Sequence, residues 1–223
     1  SANPTGIVFN GSQGFQVTQG GVSGPSAFIF VGEAGTVSGW APNVNLNSAV
    51  QVFDGASAST VYKGLARATQ GGSDFLYATD FHNGVVDVFS SNFTKVAASG
   101  AFTDASLPAG YAPFGIQAAG NLIYVAFAKQ DAQAHDNVDG AGLGAVDVSD
   151  TAGILVKRLI PAGGKLTAPW GMAHAPPNLG PFRSHMPLGN FGRGSINAFK
   201  PGKGTYLGRF YTTAGHPLAI DAL

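Results

Sequence analysis

Apolar residues along the chain alternate with polar ones or gather in short runs such as "AFIFVG", "FLYATD", "NLIYVAFA" and "SINAF", each bounded by Gly, Asn, Asp or Pro. A two-residue period and short apolar runs punctuated by breakers predict strands joined by turns. Only "ARATQGG" and "AKQDAQAHD" have the composition for a helical turn, and Gly or Asp soon interrupts both. The expectation is an all-β chain.

The predicted strands recur. A motif of Pro, any residue, Gly and an apolar stretch opens at "PTGIVF", "PFGIQA" and "PWGMAH", and "YKGLARA" is a copy without its Pro. Its glycines, Gly6, Gly64, Gly115 and Gly171, lie 58, 51 and 56 residues apart by subtraction. A second motif, a Gly opening a strand, follows each time: "GTVSGW" from Gly35, "GVVDVF" from Gly84, "GAVDVS" from Gly144 and "GSINAF" from Gly194. Two motifs in constant order at a period near fifty, with about four short strands each, predict propeller blades. The units run approximately 4–61, 62–111, 112–167 and 168–215, with 216–223 opening another, all in a single propeller region over 1–223.

One such sheet cannot bury both faces alone and must lean on neighbours. The first Gly is expected where inner strands crowd around the axis, and the second at a turn needing positive φ or a bulge. Five residues beyond the second Gly stand Trp40, Phe89 and Phe199, with Ser149 in the third unit. These aromatic residues are expected between blades.

"YATDFHNGVVDVF" resembles an NHL-type blade. Longer stretches resemble an uncharacterised family of NHL-like propellers, some bacterial members of which carry a PEP-CTERM sorting tail. The matching runs are "NPTGIVFN", "EAGTVSGWAP", "YKGLA", "LPAGYAPFGIQ", "AKQDAQAHDNVDGAGLGAVDV", "APWGMAHAP", "GNFGRGSINAF" and "HPLAIDAL". The resemblance implies a six-bladed, extracytoplasmic or secreted propeller with no established activity, and it transfers no site residue. About four blades plus one opening strand fall within these 223 residues. An open arc exposes sheet edges, so the missing blades are expected outside this sequence or as a separate fragment or chain.

Composition narrows the partners. Only 11% of residues are charged, against about 25% in a typical soluble domain, and Lys+Arg and Asp+Glu balance at 12 each. No global field exists to hold a polyanion, which argues against nucleic acid. No apolar run reaches the roughly 18 residues of a membrane span, so membrane insertion is not expected. The first residues, "SANPTGIVFN", do not read as a signal peptide; a mature secreted product would look the same. The absence of Cys excludes disulfides, thiolate metal sites and a Cys nucleophile. Two sequons, Asn10-Gly11-Ser12 and Asn92-Phe93-Thr94, would accept glycans in a eukaryotic secretory pathway.

Candidate chemistry concentrates at the turns after the second strand of each unit. Glu33, Asp80 and Asn190 occupy related places there, with His82 beside Asp80 and Gln130 near the corresponding place in the third unit. Such side chains either accept backbone N–H bonds and brace the turn, or converge at one mouth of the ring on a ligand or cation. The third unit carries an insertion, "KQDAQAHDNVDGAGLG", whose Asp131, His135, Asp136 and Asp139 form either a surface loop or an oxygen-rich site suited to Ca²⁺.

The other motifs lack context. "GAGLGA" leads into "VDVS", a strand rather than a phosphate-binding helix, and no G-x-S-x-G elbow occurs. Two classes of function follow. One is a non-enzymatic extracellular binding or scaffold propeller for a carbohydrate, peptide or protein. The alternative is a Ca²⁺-dependent, lactonase-like hydrolase with its metal held on the axis by Glu33, Asp80 and Asn190.

Overall fold

A computed structural model describes residues 3–179 and 183–220. Strand accounts for 49% of the chain and helix for 3%, which makes it all-β. In chain order, β1 (Pro4–Phe9) precedes a separate hairpin of β2 (Gln16–Gln19) and β3 (Val22–Pro25). Then come β4 (Phe28–Gly32), β5 (Thr36–Trp40) and β6 (Val50–Asp54). Strands β1, β4, β5 and β6 pair in that order as the first antiparallel blade. The second blade holds β7 (Tyr62–Gln70), β8 (Ser73–Asp80), β9 (Val85–Ser90) and β10 (Lys95–Val96). The third holds β11 (Tyr111–Ala119), β12 (Leu122–Lys129), β13 (Gly144–Asp150) and β14 (Leu155–Ile160). The fourth holds β15 (Pro169–Met172), β16 (Met186–Asn190), β17 (Ser195–Phe199) and β18 (Tyr206–Arg209). The four sheets form a four-blade propeller arrangement.

"ARATQGG" is strand rather than helical turn. Ala66, Arg67, Ala68 and Thr69 pair one by one with β8, and Gly71 and Gly72, at φ 57° and 81°, make the two-residue turn between the strands. The start of "AKQDAQAHD" ends β12 and the remainder is loop. Of the segment from 216, the residues 221–223 lie outside those described, as do residues 180–182 of the Pro-rich loop between His174 and His185.

The innermost strands touch in succession, β1 on β7, β7 on β11 and β11 on β15. The motif glycines make this approach feasible. A Cβ on Gly6 would sit 2.6 Å from the Leu65 nitrogen, and one on Gly64 would sit 2.9 Å from the Phe114 carbonyl oxygen. A Cβ on Gly115 would collide with the Trp170 carbonyl. Around Gly171, the fourth member, nothing stands within 4 Å.

Three apolar layers separate the blades. Between the first and second lie Ile29, Val31 and Val37 against Tyr62, Leu76 and Phe89, with Phe15 and Val17 beside the β2–β3 hairpin closing the periphery. Tyr77, Val86 and Val88 meet Ile123, Val125 and Phe127 in the next layer. Val146, Val148 and Leu159 meet Met186, Leu188 and Phe199 in the third. Phe89 and Phe199 thus lie between blades as expected. Trp40, at the matching place, belongs to an open face: Phe9 meets Phe28 edge-on at 5.7 Å, and Phe28 lies 6.2 Å from Trp40. Ile7 and Phe9 are 58% and 65% exposed there. At the other end of the arc, Gly171, Ala173, Pro187, Gly189 and Ile196 line a shallow apolar depression of about 320 Å³.

The glycine series gives a paired test. Gly115→Ala should destabilise by about 1–3 kcal/mol, the range for overpacking, whereas Gly171→Ala should stay within about 0.5 kcal/mol of wild type. Urea unfolding of the two variants checks both, and equal losses would deny the axial role of Gly115.

Candidate functional site

The turns after the second strands of the blades gather at one mouth of the axis, but their polar side chains do not share a focus. Asp80 is buried, and its Oδ1 accepts from the Val61 and Asn83 N–H groups, both at 3.2 Å, while Oδ2 accepts from Asn83 Nδ2 at 2.7 Å. Asn190 is buried likewise: Oδ1 accepts from the Thr167 N–H at 2.9 Å and Nδ2 donates to the Ser195 carbonyl at 3.1 Å. Both side chains therefore tie the end of the second strand to the linker that enters the blade.

Glu33 is not their counterpart. Tyr62 pairs with Asp80 and Pro169 with Asn190, but Pro4 pairs with Gly32, which leaves Glu33 one residue further on. Its carboxylate turns to Lys63, as does that of Asp136. Lys63 Nζ lies 2.5 Å from Glu33 Oε1 and 3.0 Å from Asp136 Oδ1. Lys63 is buried at 4% exposure, so the two carboxylates are what make an ammonium tolerable among crowded strands. The contact joins three blades. Asp136 Oδ2 in turn takes His135 Nδ1 at 3.2 Å. The Lys63 hydrogen bond, with help from His135, holds the Asp136 carboxyl below the usual carboxylate range.

Beside this cluster an aromatic plug fills the mouth. Phe81 and Phe114 are 5.2 Å apart, Phe114 and Trp170 5.7 Å, and Trp170 and Phe191 5.2 Å. Trp170 Nε1 donates to the Lys63 carbonyl at 2.6 Å, so the ring spans from the fourth blade to the second. Gln130 Nε2 donates to the carbonyls of Phe81 at 2.5 Å and His82 at 3.3 Å, fastening the third blade to the second. His82 enters this network through its backbone oxygen.

Apart from Asp136, the acidic side chains of the insertion loop bond within the loop. Asp131 Oδ1 accepts from the Gln133 and His135 N–H groups at 3.1 and 2.9 Å, and Asp139 Oδ1 accepts from Asn137 Nδ2 at 2.7 Å. Among the described residues no three His, Asp or Glu side chains gather as a metal-binding group. Of the two sequons, Asn10 is buried with Nδ2 donating to the carbonyls of Ser12, Gly14 and Ser26, which makes it a turn brace, while Asn92 is exposed.

Lys63 is the residue that sequence reasoning missed. Its signal was position: it fills the variable place of the inner-strand motif, where the other copies have Thr5, Phe114 and Trp170. A lysine at a site reserved for close approach calls for a counter-ion.

No protein-family model matches the chain. It is 31% identical over 230 residues to one uncharacterised protein of Acanthamoeba polyphaga mimivirus and 32% identical over 227 residues to a second. The alignments cover 100% and 99% of this chain but 56% and 59% of those proteins, so the chain spans about half the length of the curated relatives it matches. A streptogramin B lyase structure superposes with a TM-score of 0.55 at 12% identity, over 95% of this chain and 55% of the lyase. YCF48 from Cyanidioschyzon merolae gives 0.54 at 11% identity, over 95% of this chain and 58% of that one. These likenesses define the class of fold, a β-propeller.

The cluster predicts a pH effect of definite sign. Asp136 has a depressed folded pKa, so its contribution is complete above the ordinary carboxylate value of about 4 and is lost as pH falls through the folded value. Melting curves from pH 5 to about 2.5 should fall less steeply for Asp136→Asn than for wild type. Lys63→Met should cost about 1–3 kcal/mol at pH 7, because it strands Glu33 beside the plug; an unchanged Tm would remove the ammonium from its structural role.

Proposed function

We propose that the chain belongs to a non-enzymatic, extracytoplasmic binding and scaffold propeller, and that further NHL-like blades packed on its two end faces complete a six-bladed ring. One observation carries this reading: the register that buries Phe89 and Phe199 against a preceding blade leaves Trp40 on an uncovered aromatic face. The vacancy beside Gly171 supports it from the other end, since each earlier motif glycine receives the next inner strand. The length of the mimivirus relatives, which extend well beyond the matched part, is consistent with more blades.

The binding role rests on how the axial mouth is used. Glu33, Gln130 and Asp136 are engaged in holding blades to one another, and Asp80 and Asn190 in pinning the linkers that enter their blades. The mouth is a rigid, plugged platform, and recognition of a carbohydrate, peptide or protein falls to the outer surfaces. The extracytoplasmic setting rests on the family resemblance.

Intact mass and peptide mapping of the protein purified from its native source test the ring. The expected result is peptides from additional Pro-x-Gly units, in the same polypeptide or in a co-purifying fragment. A lone 22.6 kDa chain, as monomer or dimer, would overturn the reading.

A further inference from the structure

The third strands carry a repeated polar position: Ser38, Asp87, Asp147 and Asn197. In the second blade Asp87 meets Lys95 of the fourth strand at 2.7 Å and accepts from the Tyr62 hydroxyl at 2.8 Å. In the third blade Asp147 pairs with Arg158 of its fourth strand, and the linker from the second blade adds Asp104 to the same guanidinium. Burial pushes the Asp147 carboxyl up to about 6 against the pull of Arg158, and Asp104 adds to the rise. Lys95 and Arg158 are thus each neutralised by the carboxylate at this third-strand position.

The fourth blade breaks the rule. Arg209 stands opposite Asn197, as Arg158 stands opposite Asp147, but Asn197 carries no charge. The linker that supplies Asp104 to the third blade supplies Lys165 here. Arg209, Lys165 and Arg193 line one cavity of about 290 Å³, and none of them has an ion-pair partner among the described residues. In a chain of zero net charge this is a local excess of three cations.

A second observation points to the ligand. Asn197 is 2% exposed and lines the same cavity; its Nδ2 donates to the Lys165 carbonyl at 2.9 Å, and its Oδ1 has no hydrogen-bond partner. A buried acceptor without a donor costs about 1–3 kcal/mol, and an anionic group alone cannot supply one. A ligand bearing both a negative charge and O–H or N–H donors complements this lining. Tyr206 and Tyr211, both exposed, add ring faces at the rim, and Lys165 Nζ lies 5.9 Å above the Tyr206 ring. The volume is at the lower end of the ~300–1,000 Å³ found for small-ligand pockets, which suits one ring rather than an extended chain.

We propose that this cleft between the third and fourth blades binds an acidic saccharide, a sugar bearing carboxylate or sulfate. Arg209, Lys165 and Arg193 hold the anionic group, Asn197 Oδ1 accepts from a ring hydroxyl, and the exposed tyrosines take the sugar face. The inference deepens the binding reading and rests on it. Its test is independent of ring completion, because the cleft is built wholly from these two blades and their linker.

Isothermal titration of the 223-residue chain at low salt is the experiment, with a galacturonate trisaccharide and a sulfated disaccharide as separate arms and maltotriose and inorganic sulfate as controls. One or both acidic sugars should bind and weaken as salt rises, as screened charge pairs do; the arm that binds names the anionic group. Asn197→Asp, which rebuilds the ion pair of the third blade, should cut affinity about 10- to 100-fold with Tm unchanged or raised. Arg209→Gln should lower affinity by a similar factor and stands in should the first variant misfold. No binding of either acidic sugar, inorganic sulfate binding as tightly as the sugars, maltotriose binding equally well, or affinity untouched by both variants would each overturn the proposal.

Discussion

Sheets arranged radially must converge, and the backbone-to-backbone approach of their innermost strands is the constraint on which the rest of the molecule depends. Where Gly6, Gly64 and Gly115 stand, the next strand occupies the space a side chain would need. Closeness at the axis forces the sheets to splay outward, and the widening wedges must then be filled. Large apolar side chains fill them in the middle of each blade, and the β2–β3 hairpin with Phe15 does so at the periphery of the first wedge. The linkers into the second and fourth blades are pinned by Asp80 and Asn190, so the turn polarity that looks chemical is largely a clamp on the blade-to-blade crossing.

Much of this was legible because repetition makes weak local signals add. A single Pro-x-Gly or Gly-led strand says little, but four copies in order located the sheets, the close approach at Gly6, Gly64 and Gly115 and the positive φ of Gly35, Gly84 and Gly194, while Gly144 opens a regularly paired strand without one. Reading failed where tertiary crowding overrode local composition. "ARATQGG" has helix-forming residues, yet as an innermost strand flanked by β1 and β11 it has no freedom to coil. The placement of Glu33 beside Asp80 and Asn190 failed for a subtler reason. The turn after the second strand is one residue shorter in the first blade, from Gly32 to Gly35 against Asp80 to Gly84 and Asn190 to Gly194, so the residue paired with the inner strand there is Gly32 and Glu33 falls within the turn. Lys63 escaped notice because its chemistry lies in burial and in partners contributed by two other blades.

Charge in this molecule is scarce, and the buried or half-buried cations Lys63, Arg67 and Arg158 are each compensated by carboxylates. That economy gives meaning to exceptions. Arg158 and Arg209 hold the same structural place, and what distinguishes them is the residue across the ladder and the linker alongside. Duplication of a blade copies an ion pair together with its geometry. A change of one carboxylate to an amide then leaves a fixed guanidinium beside a ready cavity, so a repeat architecture can acquire a site without altering its scaffold.

The two ends of the arc are not alike. One presents Ile7, Phe9, Phe28 and Trp40, bulky and protruding; the other presents Gly171, Ala173, Gly189 and Ile196, small apart from the last. The difference gives the series of blades a direction: Phe89 and Phe199 turn toward the blade before them, and Phe28 and Trp40 turn the same way on the first sheet, so bulk on one face is always matched to the flatter back of a neighbour.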